Sequence, residues 1–197
     1  MEDENKLYDG ELSFRPLTLE TWQDFEQLFG KTGACGGCWC MWWRLRRKEF
    51  DKQKGEGNKS AMYRIVEKGI VPGIIAYINK LPVGWCSVAP RDEFSVLDRS
   101  RILKRVDDQP VWSIVCFFVA KQYRCRGITI QLIKAAIEYA KKNGALIVEG
   151  YPVQPKKSKM PDVFAFTGFM SAFEKAGFTE IVRRSDTRPI MRYLIKN

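Results

Sequence analysis

Residues 119–133 read VAKQYRCRGITIQLI, and this stretch decides the fold. It follows Val111–Ala120, an almost unbroken apolar run of the kind a strand buried on both faces requires. It leads into a clear amphipathic helix, with Leu132, Ile133, Ala136, Ile137 and Ala140 on one face, Lys134, Glu138 and Lys141 on others, and Gly144 as the stop. The first N–H groups of such a helix have no intrahelical acceptor, and the aligned peptide dipoles place partial positive charge there. Gly127 lets the backbone come close to a ligand, and Arg124 and Arg126 add formal charge. The connection from strand to helix is therefore a candidate anion site, suited to a diphosphate.

Working outward, Ala145–Tyr151 reads as a further strand, and strand–helix–strand over 111–151 implies a right-handed crossover between parallel neighbours. Upstream, Ile74–Ile78 and Val83–Ala89 flank Asn79-Lys80 as a hairpin. LSFRP at 12–16 alternates as a strand, and Thr18 stands before a helix over Leu19–Phe29. A second helix is expected from Asn58 or Ser60 to Lys68. Residues 51–58 read as a mobile polar loop, and 90–109 as a charged loop with a helical turn near Arg99–Arg105. Downstream, 152–161 reads as a loop, Met170–Ala176 as a short helix, and Glu180–Arg184 and Ile190–Ile195 as closing strands. The sum is a mixed α/β sheet with helices on both faces.

The chain has 197 residues, enough for one domain with a real core. No apolar stretch reaches the ~18–20 residues of a membrane span. The acidic opening MEDENKLYDGEL lacks an apolar signal core, so a cytoplasmic location is expected. Three of the six cysteines cluster at Cys35, Cys38 and Cys40, and Cys86, Cys116 and Cys125 stand alone, which suggests reduced thiols. The net charge of +10 attracts anionic ligands, a phosphate-rich cofactor or nucleic acid among them. With no histidine in the chain, the commonest general base is absent.

Val119, Arg124 and Gly127 match the pattern V-x4-[RQ]-x-x-G-x-[GA] that follows an apolar strand in the GNAT acetyltransferases, with Thr129 in place of its final Gly or Ala. FEKAGF (173–178) resembles the family's Y-E-x-x-G-F segment, and LPVGWCSVAPR (81–91) resembles the strand before its central one. The resemblance covers most of 60–195 and extends to a bacterial subgroup carrying VGWCxVAPR and EGYPV. It implies one GNAT-like domain over 1–197, with a mostly antiparallel sheet, a central parallel strand pair and helices on both faces. It implies acetyl-CoA as co-substrate, held by the loop Arg124, Cys125, Arg126, Gly127, Ile128 and Thr129. The pantetheine would lie against backbone groups of Phe117, Phe118 and Val119, where an N–H can polarise the thioester carbonyl.

The acceptor implied is a primary amine of a small molecule or peptide, which attacks directly. Glu149 resembles the glutamate of the L-E-V segment in acetyltransferases of protein N-termini. Among Ile147, Val148 and Tyr151 it would have a raised pKa suited to a base. The alternative is a strand-end carboxylate, solvated or paired with an arginine. Ser113 stands where histone-type members carry a glutamate, and Phe173 stands where many relatives carry an acidic tyrosine. Tyr151 and Cys116 are the candidate substitutes as acid. A coenzyme A-binding module without turnover is the second reading, and a nucleic-acid-associated protein ranks last.

The resemblance implies that CGGCWCMWWR (35–44), within the Cys/Trp-rich segment and loop 31–58, lies near the acceptor side. Cys35 and Cys38 have the spacing of a zinc knuckle, but a fourth ligand is missing, so no metal is expected. Trp39, Trp42 and Trp43, with Trp85 opposite, could form an aromatic wall that attracts a cationic amine. No membrane partner is expected, and a homodimer is left open.

Overall fold

The computed structural model describes residues 8–155 and 165–196. Seven strands, β1 Leu12–Pro16, β2 Gly73–Ile78, β3 Leu81–Pro90, β4 Trp112–Val119, β5 Ile147–Gly150, β6 Thr179–Arg183 and β7 Pro189–Leu194, form one sheet in the order β1-β2-β3-β4-β5-β7-β6. Every neighbouring pair is antiparallel except β4 and β5, which run parallel. The helices are α1 Trp22–Phe29, α2 Arg47–Lys52, α3 Glu56–Glu67, α4 Ser95–Asp98, α5 Ile128–Lys142 and α6 Met170–Lys175. This is the mixed, mostly antiparallel architecture expected, with α5 as the crossover between the parallel pair.

Both faces of the sheet are covered because its inner strands are apolar on both, whereas the edge strands β1 and β6 expose alternate or most residues. In β2, Ile74, Ala76 and Ile78 join the core under α5 and α6, and Ile75 and Tyr77 join the opposite core with α1 and α3. No helix of the described residues is long and apolar enough to cross a membrane.

One expectation needs correction. Residues 51–58 belong mostly to α2 and α3, not to a mobile loop. Asp51 pairs with Arg47 at 2.6 Å, one turn away, and Phe50 is buried. Asn58 is fully buried and its Nδ2 donates to Gly37 O at 3.0 Å. The helical turn expected near 99–105 is present, with Lys104 N donating to Ser100 O at 3.0 Å, and the short helix α4 precedes it, where Phe94 and Leu97 supply the buried contacts. Part of the expected 152–161 loop lies outside the described residues.

A bulge in β4 opens the sheet. Ser87 pairs with Cys116 but Val88 pairs with Ile114, so Val115 is the extra residue. Val115 and Cys116 consequently share one face, while Ile114 and Phe117 take the other. The parallel ladder is short, with Trp112, Ser113 and Ile114 facing Val148, Glu149 and Gly150. Beyond Ile114 the bulged strand parts from β5 and presents its edge to a gap. At the point of divergence Gly150 accepts the Phe173 ring, since a Cβ there would stand 2.2 Å from Phe173 Cε1. Gly150→Ala is expected to cost about 1–3 kcal/mol by overpacking, read as a lower urea midpoint; an unchanged midpoint would mean that α6 shifts freely.

Candidate active site

The turn into α5 is built for an anion. After β4, a single turn Lys121–Tyr123 leads to Arg124, then to Cys125 at φ 58° and Gly127 at φ 75°. The left-handed Gly127 caps α5, and its carbonyl accepts from Ile130 and Gln131. The amides of Ile128 and Thr129 lie in the first turn, where a helix offers no internal acceptor. A Cβ on Gly127 would meet nothing within 4 Å, so the space above the turn is open. Arg126 lies exposed along the Tyr123 ring, 5.9 Å from its centre. Arg124 Nε donates to Val119 O at 3.0 Å and ties the turn to the end of β4. Cys125 is exposed, the Ile128 side chain is packed in the core, and Thr129 is half-buried. Open amides, a left-handed glycine and a nearby guanidinium fit a diphosphate.

The edge of β4 runs from this turn into the gap. Backbone groups alternate along a strand, and Ala120 N donates to Val83 O on β3. Phe118 therefore faces β3 as well, and it cannot offer its backbone to the gap as expected. Val115, Phe117 and Val119 do face the gap. Val115 O accepts from Trp43 Nε1 at 3.0 Å, and Phe117 N donates to Phe166 O at 2.6 Å. The diphosphate end of a coenzyme site is thus open, whereas this edge already carries partners from the chain itself.

Glu149 and Tyr151 lie at the foot of the gap in a closed ionic network. Glu149 is 1% exposed. Its Oε1 accepts from Tyr151 OH at 2.6 Å and Arg91 Nη1 at 3.1 Å, and its Oε2 accepts from Arg192 Nε at 2.7 Å. Arg91 Nη2 continues to Asp98 at 3.0 Å, and Arg192 forms a two-pronged pair with Asp107 at 2.6 and 3.0 Å. Ser113 Oγ lies 2.8 Å from Tyr151 OH. Burial, with the Glu149 charge beside it, pushes the Tyr151 phenol well above its ordinary value. The apolar setting expected around Glu149 is corrected: two guanidiniums and a phenol surround it.

Sequence reasoning missed Arg91, Arg192 and Asp107. The available signal was a charged residue at an inward position of an otherwise apolar strand, as Arg192 is in IMRYLI. Such a residue needs a buried counter-charge.

The Cys/Trp segment packs unevenly. Trp85 is fully buried against Phe25 and Phe29, and its Nε1 donates to Cys40 Sγ at 3.1 Å. Trp39 is 4% exposed and stacks on Phe29 at 5.6 Å. These two are core residues, not a cleft wall. Trp42 turns outward, between Phe50 and the Arg47 guanidinium. Trp43 alone reaches the gap, where its ring lies 6.2 Å from Phe166. Burial opposes ionisation of Cys40, but hydrogen bonds from Cys116, Trp85 and Ser87, with the Arg44 charge, outweigh it and bring the thiol down to about 7. Among the described residues no group of three or more His, Cys, Asp or Glu could hold a metal ion.

A bulged central strand diverging from its parallel neighbour, with a glycine-turned helix start at the mouth of the gap, defines an acyltransferase fold. The family model for the Acetyltransferase (GNAT) family matches residues 39–154, more than half of the chain, and the chain belongs to that family. Acetyl-CoA is the typical co-substrate of its members. Among solved structures, the chain is similar to PaiA N-acetyltransferase from Thermoplasma acidophilum in complex with coenzyme A, at 14% identity and TM-score 0.53 over 94% of this chain and 99% of that one. It is also similar to a GNAT acetyltransferase from Listeria monocytogenes, at 8% identity and TM-score 0.58 over 94% and 96%. Ard1 from Thermoplasma volcanium aligns at 10% identity and TM-score 0.51 over 94% and 99%. At these identities the likeness is one of fold. No curated protein matched the sequence.

Proposed function

We propose that this protein transfers an acetyl group from acetyl-CoA to a primary amine of a small molecule or peptide by direct attack. The observation that carries the reading is the open helix start at Gly127 at the end of a strand whose edge faces a gap. The amides of Gly127, Ile128 and Thr129 and the Arg126 side chain would hold the diphosphate, with Cys125 giving the turn its shape. When bound, acetyl-CoA supplies an activated acyl group as a thioester. The Phe117 N–H is the donor placed to polarise a carbonyl at the β4 edge. Trp43 is the member of the expected aromatic wall that stands where an amine would arrive.

Glu149 and Tyr151 suit a positioning task better than proton transfer. Tyr151 OH, Arg91 Nη1 and Arg192 Nε already donate to Glu149, and both Glu149 and Tyr151 are sealed from solvent. We assign them to hold β5 against β4 where the strands diverge, and we assign the acceptor's proton to solvent at the open side. A cytoplasmic setting accords with six free cysteines. A homodimer remains part of the reading only as an arrangement to be measured.

A second reading, a coenzyme A-binding module without turnover, is favoured by Phe173, which is buried and lacks a proton to give. A thiol-release assay with acetyl-CoA and a panel of primary amines separates the two. Thiol is expected to appear only when both are present. Tight acetyl-CoA binding with no release across small amines and peptides would select the module.

A further inference from the structure

Two contacts occupy the β4 edge. The turn Ala165–Gly168 closes on itself through Gly168 N to Ala165 O at 2.8 Å and presents the Phe166 carbonyl to the Phe117 amide at 2.6 Å. The Trp43 indole donates to Val115 O at 3.0 Å, two residues away along the same edge. The turn is well anchored. Gly168 O accepts from Val153 N at 2.8 Å just after β5, and Thr167, fully buried, accepts from Arg188 Nη1 at 2.8 Å. Gly168, at φ 82°, lies tight against the Phe117 and Phe173 rings, where a Cβ would stand 3.0 Å from each. The Phe166 and Trp43 rings face each other across the gap at 6.2 Å.

We infer that this turn and this indole hold the backbone groups of β4 that an acyl-pantetheine would take, so cofactor binding displaces a contact the chain makes with itself. The inference rests on the acetyltransferase reading. The Phe166 carbonyl meets the Phe117 N–H as a thioester carbonyl would, and the Trp43 N–H meets the Val115 carbonyl as a pantetheine amide would. The helix start at Gly127 is not involved in this contact. Binding then has two parts: the diphosphate finds an open site, and the pantetheine must wait for the turn to release. Apparent affinity is reduced by the fraction of molecules in which the edge is free.

The test compares coenzyme A with 3′-phosphoadenosine 5′-diphosphate, which carries the diphosphate but no pantetheine. Calorimetry on Trp43→Phe, which loses the indole N–H, is expected to show coenzyme A binding about fivefold tighter, the worth of about one hydrogen bond. Phe166→Ala, which keeps the backbone carbonyl and loses only the facing ring, is expected to shift in the same direction by less. Affinity for the diphosphate fragment is expected to stay unchanged, which also reports that each variant is folded. Equal or weaker coenzyme A binding with unchanged fragment binding overturns the inference. Stopped-flow mixing of the unaltered protein gives an independent measure. Its association rate with coenzyme A is expected to level off with concentration at the rate of release, and a linear rise over the whole range overturns the inference. If neither ligand binds any of these proteins, the acetyltransferase reading fails first, and this inference falls with it.

Discussion

Glu149→Ala is expected to destabilise the fold by about 3–5 kcal/mol, because it leaves two guanidiniums in the interior without their shared carboxylate. Arg91 and Arg192 are nearly sealed from solvent, at 3% and 7% exposure, and each donates to a different oxygen of Glu149. Asp98 and Asp107 keep one pair each but stand on the outer side of the arginines. The buried space between the arginines would then hold two like charges and a phenol. Glu149→Gln keeps an oxygen acceptor and is expected to fall in between. Urea unfolding of the three proteins checks the order. Activity supplies the second readout: the Gln variant is expected to keep its turnover within about tenfold and the shape of its pH–rate profile. Loss of the alkaline-rising limb with stability intact would restore Glu149 as a base, since a positioned base contributes typically 10²–10⁴-fold.

Gly127→Glu is expected to weaken binding of the diphosphate fragment and of coenzyme A alike by about a hundredfold or more, since opposed like charges cost several kcal/mol. Two effects act together. The backbone at φ 75° disfavours any side chain with a Cβ, and the new carboxylate stands over the amides that would receive a phosphate. Nothing lies within 4 Å of where its Cβ would go, so no neighbouring atom obstructs the side chain and the cost to the fold is the backbone strain alone. Gly127→Ala isolates the backbone strain and is expected to lose far less. Calorimetry with both ligands checks the pair. If the Glu variant binds as the unaltered protein does, the anion site lies elsewhere.

The fold is legible where local pattern and tertiary role agree. Val111–Ala120 is apolar on both faces and forms the central strand, and the 3.6-residue periodicity after Gly127 forms α5, the crossover. Residues 51–58 mislead because their polarity describes the outer face of two short helices, while single residues, Phe50 and Asn58, face inward. The site is half legible. A helix start turned by glycine is a local feature, and its place can be read. The surroundings of Glu149 depend on Arg91 and Arg192, 58 and 43 residues away. The resemblance points Trp39 and Trp85 toward the cleft, yet the continuous apolar run of β3, which buries Trp85, is present in the same residues. The β4 bulge leaves no sequence signal, because Val115 differs from its neighbours in register and not in character.

The short ladder between β4 and β5 has a mechanical consequence. Among the described residues the β4–β5 ladder has three residue pairs, Trp112–Val148, Ser113–Glu149 and Ile114–Gly150. Directly beside them, the Asp98–Arg91–Glu149–Arg192–Asp107 chain crosses from the end of β3 to β7 like a rivet. The seam therefore behaves as the spine of a book, stiff at the ladder and fastened beyond it by the Phe117–Phe166 and Val115–Trp43 bonds. A given tilt of the two halves is smallest at Ile114 and grows toward Val119, so a guest that enters beside Val119 works on the long arm of a lever.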